Sequence, residues 1–167
     1  MSGIRVDHQG WLHGPHGVTR CASGRNGIRP DKVEGDGATP SGCFPLRRVL
    51  YRPDRVAAPR TALPVAALTP DDGWCDDPAD ANYNRRVPLP YAASHERLWR
   101  ADSLYDVILV IGHNDAPVVA GRGSAIFLHI ARGDYEPTAG CIALTRADLL
   151  ALLEFCGPGM EICISAT

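Results

Sequence analysis

A thiol placed directly after a glycine, in Thr138-Ala139-Gly140-Cys141-Ile142-Ala143-Leu144, is the feature of this 167-residue chain best suited to covalent chemistry. Gly140 lets the backbone approach a substrate carbonyl closely. The N–H groups of Gly140 and Cys141 can then form the oxyanion hole that an acyl-transfer transition state requires. His129 interrupts an otherwise apolar run, Ile126-Phe127-Leu128-His129-Ile130, and eleven residues separate it from Cys141. A loop of that length can fold back and set imidazole against thiol. A cysteine with a free pKa of about 8.5 becomes a useful nucleophile near neutral pH when a histidine shares or takes its proton. Spacing alone leaves a second reading open, since a lone histidine on an apolar strand is commonly a satisfied core residue.

The other five cysteines carry no comparable pattern. No two of the six lie at C-x-x-C spacing, so zinc-knuckle and dithiol redox readings have no support. Cys156 and Cys163, at the end of a helix and in the final strand, read as small buried hydrophobes. Cys21, Cys43 and Cys75 read as packing residues, or as disulfide partners in an oxidising compartment, and the sequence does not pair them. His8, His13, His16 and His95 lie in turn-rich segments without a carboxylate cluster, so no metal site is expected. Lys32 is the single lysine of the chain, in a loop-like stretch, which makes Schiff-base chemistry a poor fit.

The elements that must hold these groups follow from local pattern. The first third alternates glycine-rich turns with short apolar segments, Ile4 to Val6, Trp11-Leu12, Val18 to Ala22 and Phe44 to Tyr51, and reads as a meander of β-hairpins. Leu104 to Ile111 and Ser124 to Ile130 are near-continuous apolar runs of buried-strand type. Thr145 to Asp148 has the form of a helix N-terminus. Leu149, Leu150, Leu152, Leu153 and Phe155 supply an apolar face, Gly157-Pro158 stops the helix, and Gly159 to Ser165 returns as a strand. Residues 52–98 are rich in proline and lack periodicity, which predicts a surface excursion with a functional role. No repeat or domain boundary is evident, so residues 1–167 read as one mostly β domain with one helix.

Composition narrows the function classes. With 45% hydrophobic and 22% charged residues the chain can build its own core, burying roughly 70% of its unfolded surface, without help from disulfides or metals. Seventeen basic against nineteen acidic residues, net −2, argue against nucleic-acid or anionic-membrane partners. No apolar run approaches the ~20 residues of a membrane span. The start Met1-Ser2-Gly3-Ile4-Arg5 shows no signal-peptide core, so a cytoplasmic chain, or one beginning after an export signal, is expected. A monomer is the default expectation.

Two segments together carry a resemblance. Ser124 to Leu144 is similar to the active-site segment of the L,D-transpeptidase catalytic domain family (YkuD-like), a strand ending in His followed by [S/T]-x-G-C-[I/V]. Gly35 to Leu46, G-D-G-A-T-P-S-G-C-F-P-L, resembles that family's D-G-x-T-P-x-G-x-F-x-[LI] turn and strand. The resemblance implies a curved β-sandwich and a cysteine acyltransferase acting on peptidoglycan stem peptides, with no metal or cofactor. It implies Cys141 as nucleophile, His129 as general base, Gly140 with Cys141 as oxyanion hole, and Thr138 as the motif Ser/Thr. The chain departs from the family at Ala139, where His is common, at Ala143, where Arg is common, and at Ile130, where Gly is common. Loss of that arginine removes a fixed guanidinium.

On this reading the thiolate attacks the carbonyl of an L-residue followed by a D-amino acid, forming a thioester that an amine of a second stem peptide resolves into a cross-link. The linkage is a 3,3 bond or one from a less usual donor position such as the first; water as acceptor would give carboxypeptidase activity. Residues 52–98 are expected to shape the acceptor side of the cleft. Asn114, in His113-Asn114-Asp115 after a strand, reads either as part of a polar turn or as a residue lining the cleft, and Arg122 and Arg132 either as solvated surface or as partners able to pair substrate carboxylates bidentately. The substrate implies a periplasmic or cell-envelope location. Three rivals stand beside this: a non-catalytic muropeptide-binding module, a different cysteine amidase or carboxypeptidase, and a cytosolic protein with structural cysteines.

Overall fold

A computed structural model describes residues 3–167. Met1 and Ser2, part of the start read above for an export signal, lie outside the described residues. The glycine-punctuated first third gives β1 (Ile4–Val6), β2 (Trp11–Gly14), β3 (Gly17–Arg20), β4 (Ile28–Arg29), β5 (Thr39–Pro40) and β6 (Gly42–Tyr51). Gly14 pairs with Gly17, so Pro15 and His16 form the turn of the β2–β3 hairpin. Residues 52–98 hold β7 (Val65–Ala67), β8 (Asp72–Cys75), β9 (Arg86–Pro88) and β10 (His95–Arg97). The two apolar runs supply β11 (Val107–Ile111) and β12 (Phe127–Ile130), every residue of which is buried. After them come β13 (Ile142–Leu144), α1 (Arg146–Phe155) and β14 (Glu161–Ile164).

Nine strands form one curved sheet in the order β13-β12-β11-β6-β14-β1-β2-β3, with β7 added alongside β6. Its ends nearly meet. Just past β3, Ala22 exchanges both backbone hydrogen bonds with Ala143 of β13, at 2.8 and 3.0 Å. The architecture is the mostly β, single-domain curved sandwich with one helix that the sequence predicts.

Period-two alternation sorts the side chains onto two faces. Val107, Leu109, Ile111, Leu128, Ile130, Ile142 and Leu144 join Leu149, Leu152 and Leu153 of α1 in one core. Thr145 caps that helix, its hydroxyl accepting the Asp148 N–H at 3.2 Å. Ile108, Val110, Phe127 and Cys141 face the other way, into a second core closed by Leu68, Trp74, Leu98 and Tyr105. Residues 52–98 are therefore more than a surface excursion: β8, β9 and β10 form a three-stranded sheet, and Leu68, Trp74 and Leu98 of this stretch cover the second face. The strands there are too short for a periodic signal, and prolines interrupt the stretch throughout.

The cysteine assignments need one correction. Cys43 and Cys163, directly paired across β6 and β14, form a disulfide, so Cys163 is no isolated buried thiol. Cys21, Cys75, Cys141 and Cys156 are free and buried.

Candidate active site

The face of the sheet away from α1 is where the chemistry-bearing residues collect. Phe127 and Leu128 alternate, and Leu128 belongs to the helix-side core, so His129 necessarily points with Phe127 to the opposite face. Cys141, one residue before β13, shares that face, and Ala143 on it is the register partner of His129. Cys141 and His129 both line a cavity of about 450 Å³ that also touches Lys32, Glu34, Glu96, Arg100 and Tyr105.

His129 is buried, and its Nδ1 lies 2.9 Å from the Ile130 carbonyl. A carbonyl can only accept, so this bond assigns the proton to Nδ1 and leaves the Nε2 lone pair as the base. Burial away from water pushes the imidazole pKa below its usual 6.5, against the opposing Ile130 bond. The Tyr105 ring packs edge-on against the imidazole, with centroids 5.3 Å apart, and fixes its plane.

Cys141 is also buried, and desolvation pushes its thiol up to about 12. The Sγ–H donates to the Ala125 carbonyl at 3.2 Å, while the Phe127 N–H donates to Sγ at 3.4 Å. Among the described residues the thiol has no hydrogen bond to His129. The resting pair is thus a neutral thiol beside a neutral imidazole, whereas the spacing argument predicts a thiolate near neutral pH. The cause is the tight cover supplied by Phe127, Trp74 and Tyr105. The Phe127 N–H remains the group that would favour a thiolate once formed.

The turn before Cys141 is held by the second motif. Thr39, fully buried, donates its hydroxyl proton to the Gly140 carbonyl and accepts the Gly24 N–H, both at 2.8 Å. Gly140 has φ +149, and a Cβ there would meet the Ala38 carbonyl at 2.8 Å, so only glycine fits. Thr138 ties the same turn from within: its Oγ1 accepts the Gly140 N–H at 3.0 Å and donates to the Cys141 carbonyl at 2.6 Å. The expectation of two free oxyanion donors meets a difference here. The Gly140 N–H is already engaged by Thr138, which leaves the Cys141 N–H as the available donor.

The remaining expected residues separate. Arg132 lies exposed at the cavity rim and pairs with Asp102 at 3.1 Å. Arg122 is exposed and does not line the cavity. Asn114 does not line it either: its side-chain amide donates to the Val119 and Gly123 carbonyls, both at 2.9 Å, and organises its own loop. A polar triplet after a strand is also the signature of such a turn, which is why the cleft reading of Asn114 does not match its place.

Sequence reasoning passed over several residues that the fold brings here. Lys32 is buried, with Nζ 2.5 Å from Asp36 of the Asp-Gly motif. Glu34 accepts from Tyr83 at 2.7 Å and from Ser124 at 2.6 Å. Glu96 accepts from the Tyr105 hydroxyl. Asn84 accepts the Trp74 indole N–H and the Ala125 N–H, both at 3.0 Å. It thereby steadies Ala125, whose φ of +53 is unusual for alanine and whose carbonyl receives the thiol. Lys32, Glu34, Glu96 and Asn84 all lie outside the two motif segments, in stretches without a local signal.

Comparison with known families identifies the family of the chain. The family model for the L,D-transpeptidase catalytic domain (YkuD) matches residues 7–164, nearly the whole chain. No curated protein and no solved structure matches it.

Proposed function

The chain belongs to the YkuD family of L,D-transpeptidase catalytic domains, and we propose that it is a cysteine acyltransferase that cross-links peptidoglycan stem peptides. The observation that carries the proposal is the pairing of Cys141 and His129 on one face of adjacent strands, open to one cavity, with Nδ1 occupied by the Ile130 carbonyl.

In the reaction the thiol exchanges its bond to the Ala125 carbonyl for one to His129 Nε2. His129 takes the proton as sulfur attacks the carbonyl of an L-residue joined to a D-residue, and the Phe127 N–H supports charge on sulfur as it forms. The oxyanion rests on the Cys141 N–H. The imidazolium returns its proton to the departing D-residue amine, leaving a thioester. An amine of a second stem peptide attacks that thioester and completes a 3,3 or a 1,3 cross-link; water in its place releases the shortened peptide. Ala143, where many family members carry arginine, leaves room opposite His129 for a different donor position. A cell-envelope, periplasmic setting fits the substrate, and the Cys43–Cys163 disulfide supports an oxidising compartment.

Incubation of the purified protein with tetrapeptide-bearing muropeptides tests this. The wild-type chain is expected to make dimers, Cys141→Ala none, and His129→Ala about 10²- to 10⁴-fold fewer per unit time. Cross-linking by Cys141→Ala would overturn the assignment. The buried, un-ionised thiol favours one second reading, a muropeptide-binding module without turnover. Binding of the same muropeptides with no thioester and no dimer would establish that instead.

A further inference from the structure

The carboxyl group of Glu96 is the acid of the cavity that is tied through Tyr105 to the candidate base His129. Of the other acids lining the cavity, Glu34 takes two hydroxyl donors on Oε1, Asp76 accepts one from Ser94 at 2.6 Å, and Glu136 is exposed. Arg100, the guanidinium near Glu96, is committed to Asp102 through two bonds at 2.8 and 2.7 Å. Glu96 holds one donor, the Tyr105 hydroxyl, on Oε1. Among the described residues Oε2 has no partner, and no buried side-chain oxygen is left unsatisfied, so Oε2 opens to the cavity. Desolvation raises the Glu96 carboxyl above its ordinary range, a cost that a cation seated on Oε2 would remove.

The position of this carboxyl matters. Tyr105 lies between it and the candidate base, its hydroxyl on Glu96 and its ring edge against His129. Glu96 and Cys141 also line the same cavity. A cation on Oε2 would therefore share the cavity with a thioester on Cys141.

We propose that Glu96 is the acceptor site for a primary ammonium group of the second stem peptide, binding it and taking its proton as it attacks. This rests on the acyltransferase reading above. The ammonium gives one proton to the Glu96 carboxylate, and the freed lone pair forms the C–N bond to the thioester carbon. The C–S bond then breaks, and the second N–H proton passes through neutral His129 to the departing Cys141 sulfur. One ammonium, one carboxylate and one thioester become one amide, one carboxylic acid and one thiol. Glu96 returns its proton to solvent when the product leaves. Because water carries no charge for Glu96 to bind, the same carboxylate biases the thioester toward transfer over hydrolysis.

The test has two arms. In the first, calorimetry on the Cys141→Ala protein compares a stem tripeptide bearing a free side-chain primary amine with the same peptide acetylated on that amine. The free amine is expected to bind at least tenfold more tightly, and Glu96→Gln in that background to erase the difference. Equal binding of the two peptides, or a preference that survives Glu96→Gln, overturns the proposal; the first comparison needs no Glu96 variant to fold. In the second arm, the ratio of cross-linked to hydrolysed product is expected to fall at least tenfold in Glu96→Gln, with Glu96→Asp between it and wild type. An unchanged ratio overturns the proposal. A wild-type chain that forms no thioester overturns the acyltransferase reading instead, while the binding arm still decides what Glu96 holds.

Discussion

His129 and Cys141 rest as a neutral pair, and pH dependence follows from that state. Burial lowers the imidazole pKa below 6.5, with Arg100 and Arg132 adding to the effect and the Ile130 carbonyl and Asp102 opposing it. A base with a depressed pKa stays deprotonated to lower pH, so its competence is present above 6.5 and is lost as pH falls through the lower folded value. The thiol, pushed up to about 12, does not ionise within the working range. Initial rates of thioester formation are therefore expected to stay level from about pH 6.5 to 8 and to drop only on the acid side of 6.5. A rising limb centred near the ordinary thiol value of about 8.5 would show that an ionised cysteine, not a neutral pair, is the reacting form. The two candidate catalytic residues were legible because glycine before cysteine and histidine in an apolar strand are local patterns. The protonation state was not, since it depends on Trp74 and Tyr105, which are distant in sequence and packed over the site.

At the scale of elements, two motifs about a hundred residues apart meet through one hydroxyl. Thr39 bonds the Gly140 carbonyl on one side and the Gly24 N–H on the other, so β5 holds the turn that presents Cys141. Thr39→Val keeps the shape and deletes both bonds, leaving a buried N–H unpaired. The expected cost is about 1–3 kcal/mol, or roughly 5 °C in thermal midpoint for a domain of this size, read by calorimetry. Cross-linking at saturating substrate should fall further than binding of the muropeptide, because the displaced turn is the part of the cavity wall that carries the candidate nucleophile Cys141. The hairpin of β2 and β3, the buried β11 and β12, and the Thr145 cap were all readable, each being set by turn chemistry or periodicity within one segment. The sheet of β8, β9 and β10 was not. Its strands span only three or four residues each, and their burial comes from the neighbouring large sheet rather than from any period of their own. Glu96 stayed invisible for the same reason, since it reaches the cavity only through the pairing of β10 with β8.

On the scale of the whole molecule, the curved sheet is restrained at two places. The Ala22–Ala143 exchange joins its ends beside Cys141, and the Cys43–Cys163 disulfide clamps β6 to β14 in its middle. No local pattern announces that pairing: the partners are 120 residues apart and meet only because Cys163 and Cys43 are in register. Closing a loop of that length removes enough chain entropy from the unfolded state to contribute about 5 kcal/mol. The clamp also sits one strand start away from Thr39, because β6 begins at Gly42 directly after the turn that carries the Asp-Gly-Ala-Thr-Pro motif. Cys43→Ser with Cys163→Ser is therefore expected to lower the thermal midpoint by about 10 °C, and reductant alone should reproduce the shift in the wild-type chain. Neither cysteine lines the cavity, so cross-linking well below the new midpoint should persist and then fail at a lower temperature than in the oxidised protein. A midpoint indifferent to reductant would mean that the two thiols are not joined in solution, and with it would go the support that this bond lends to an oxidising compartment.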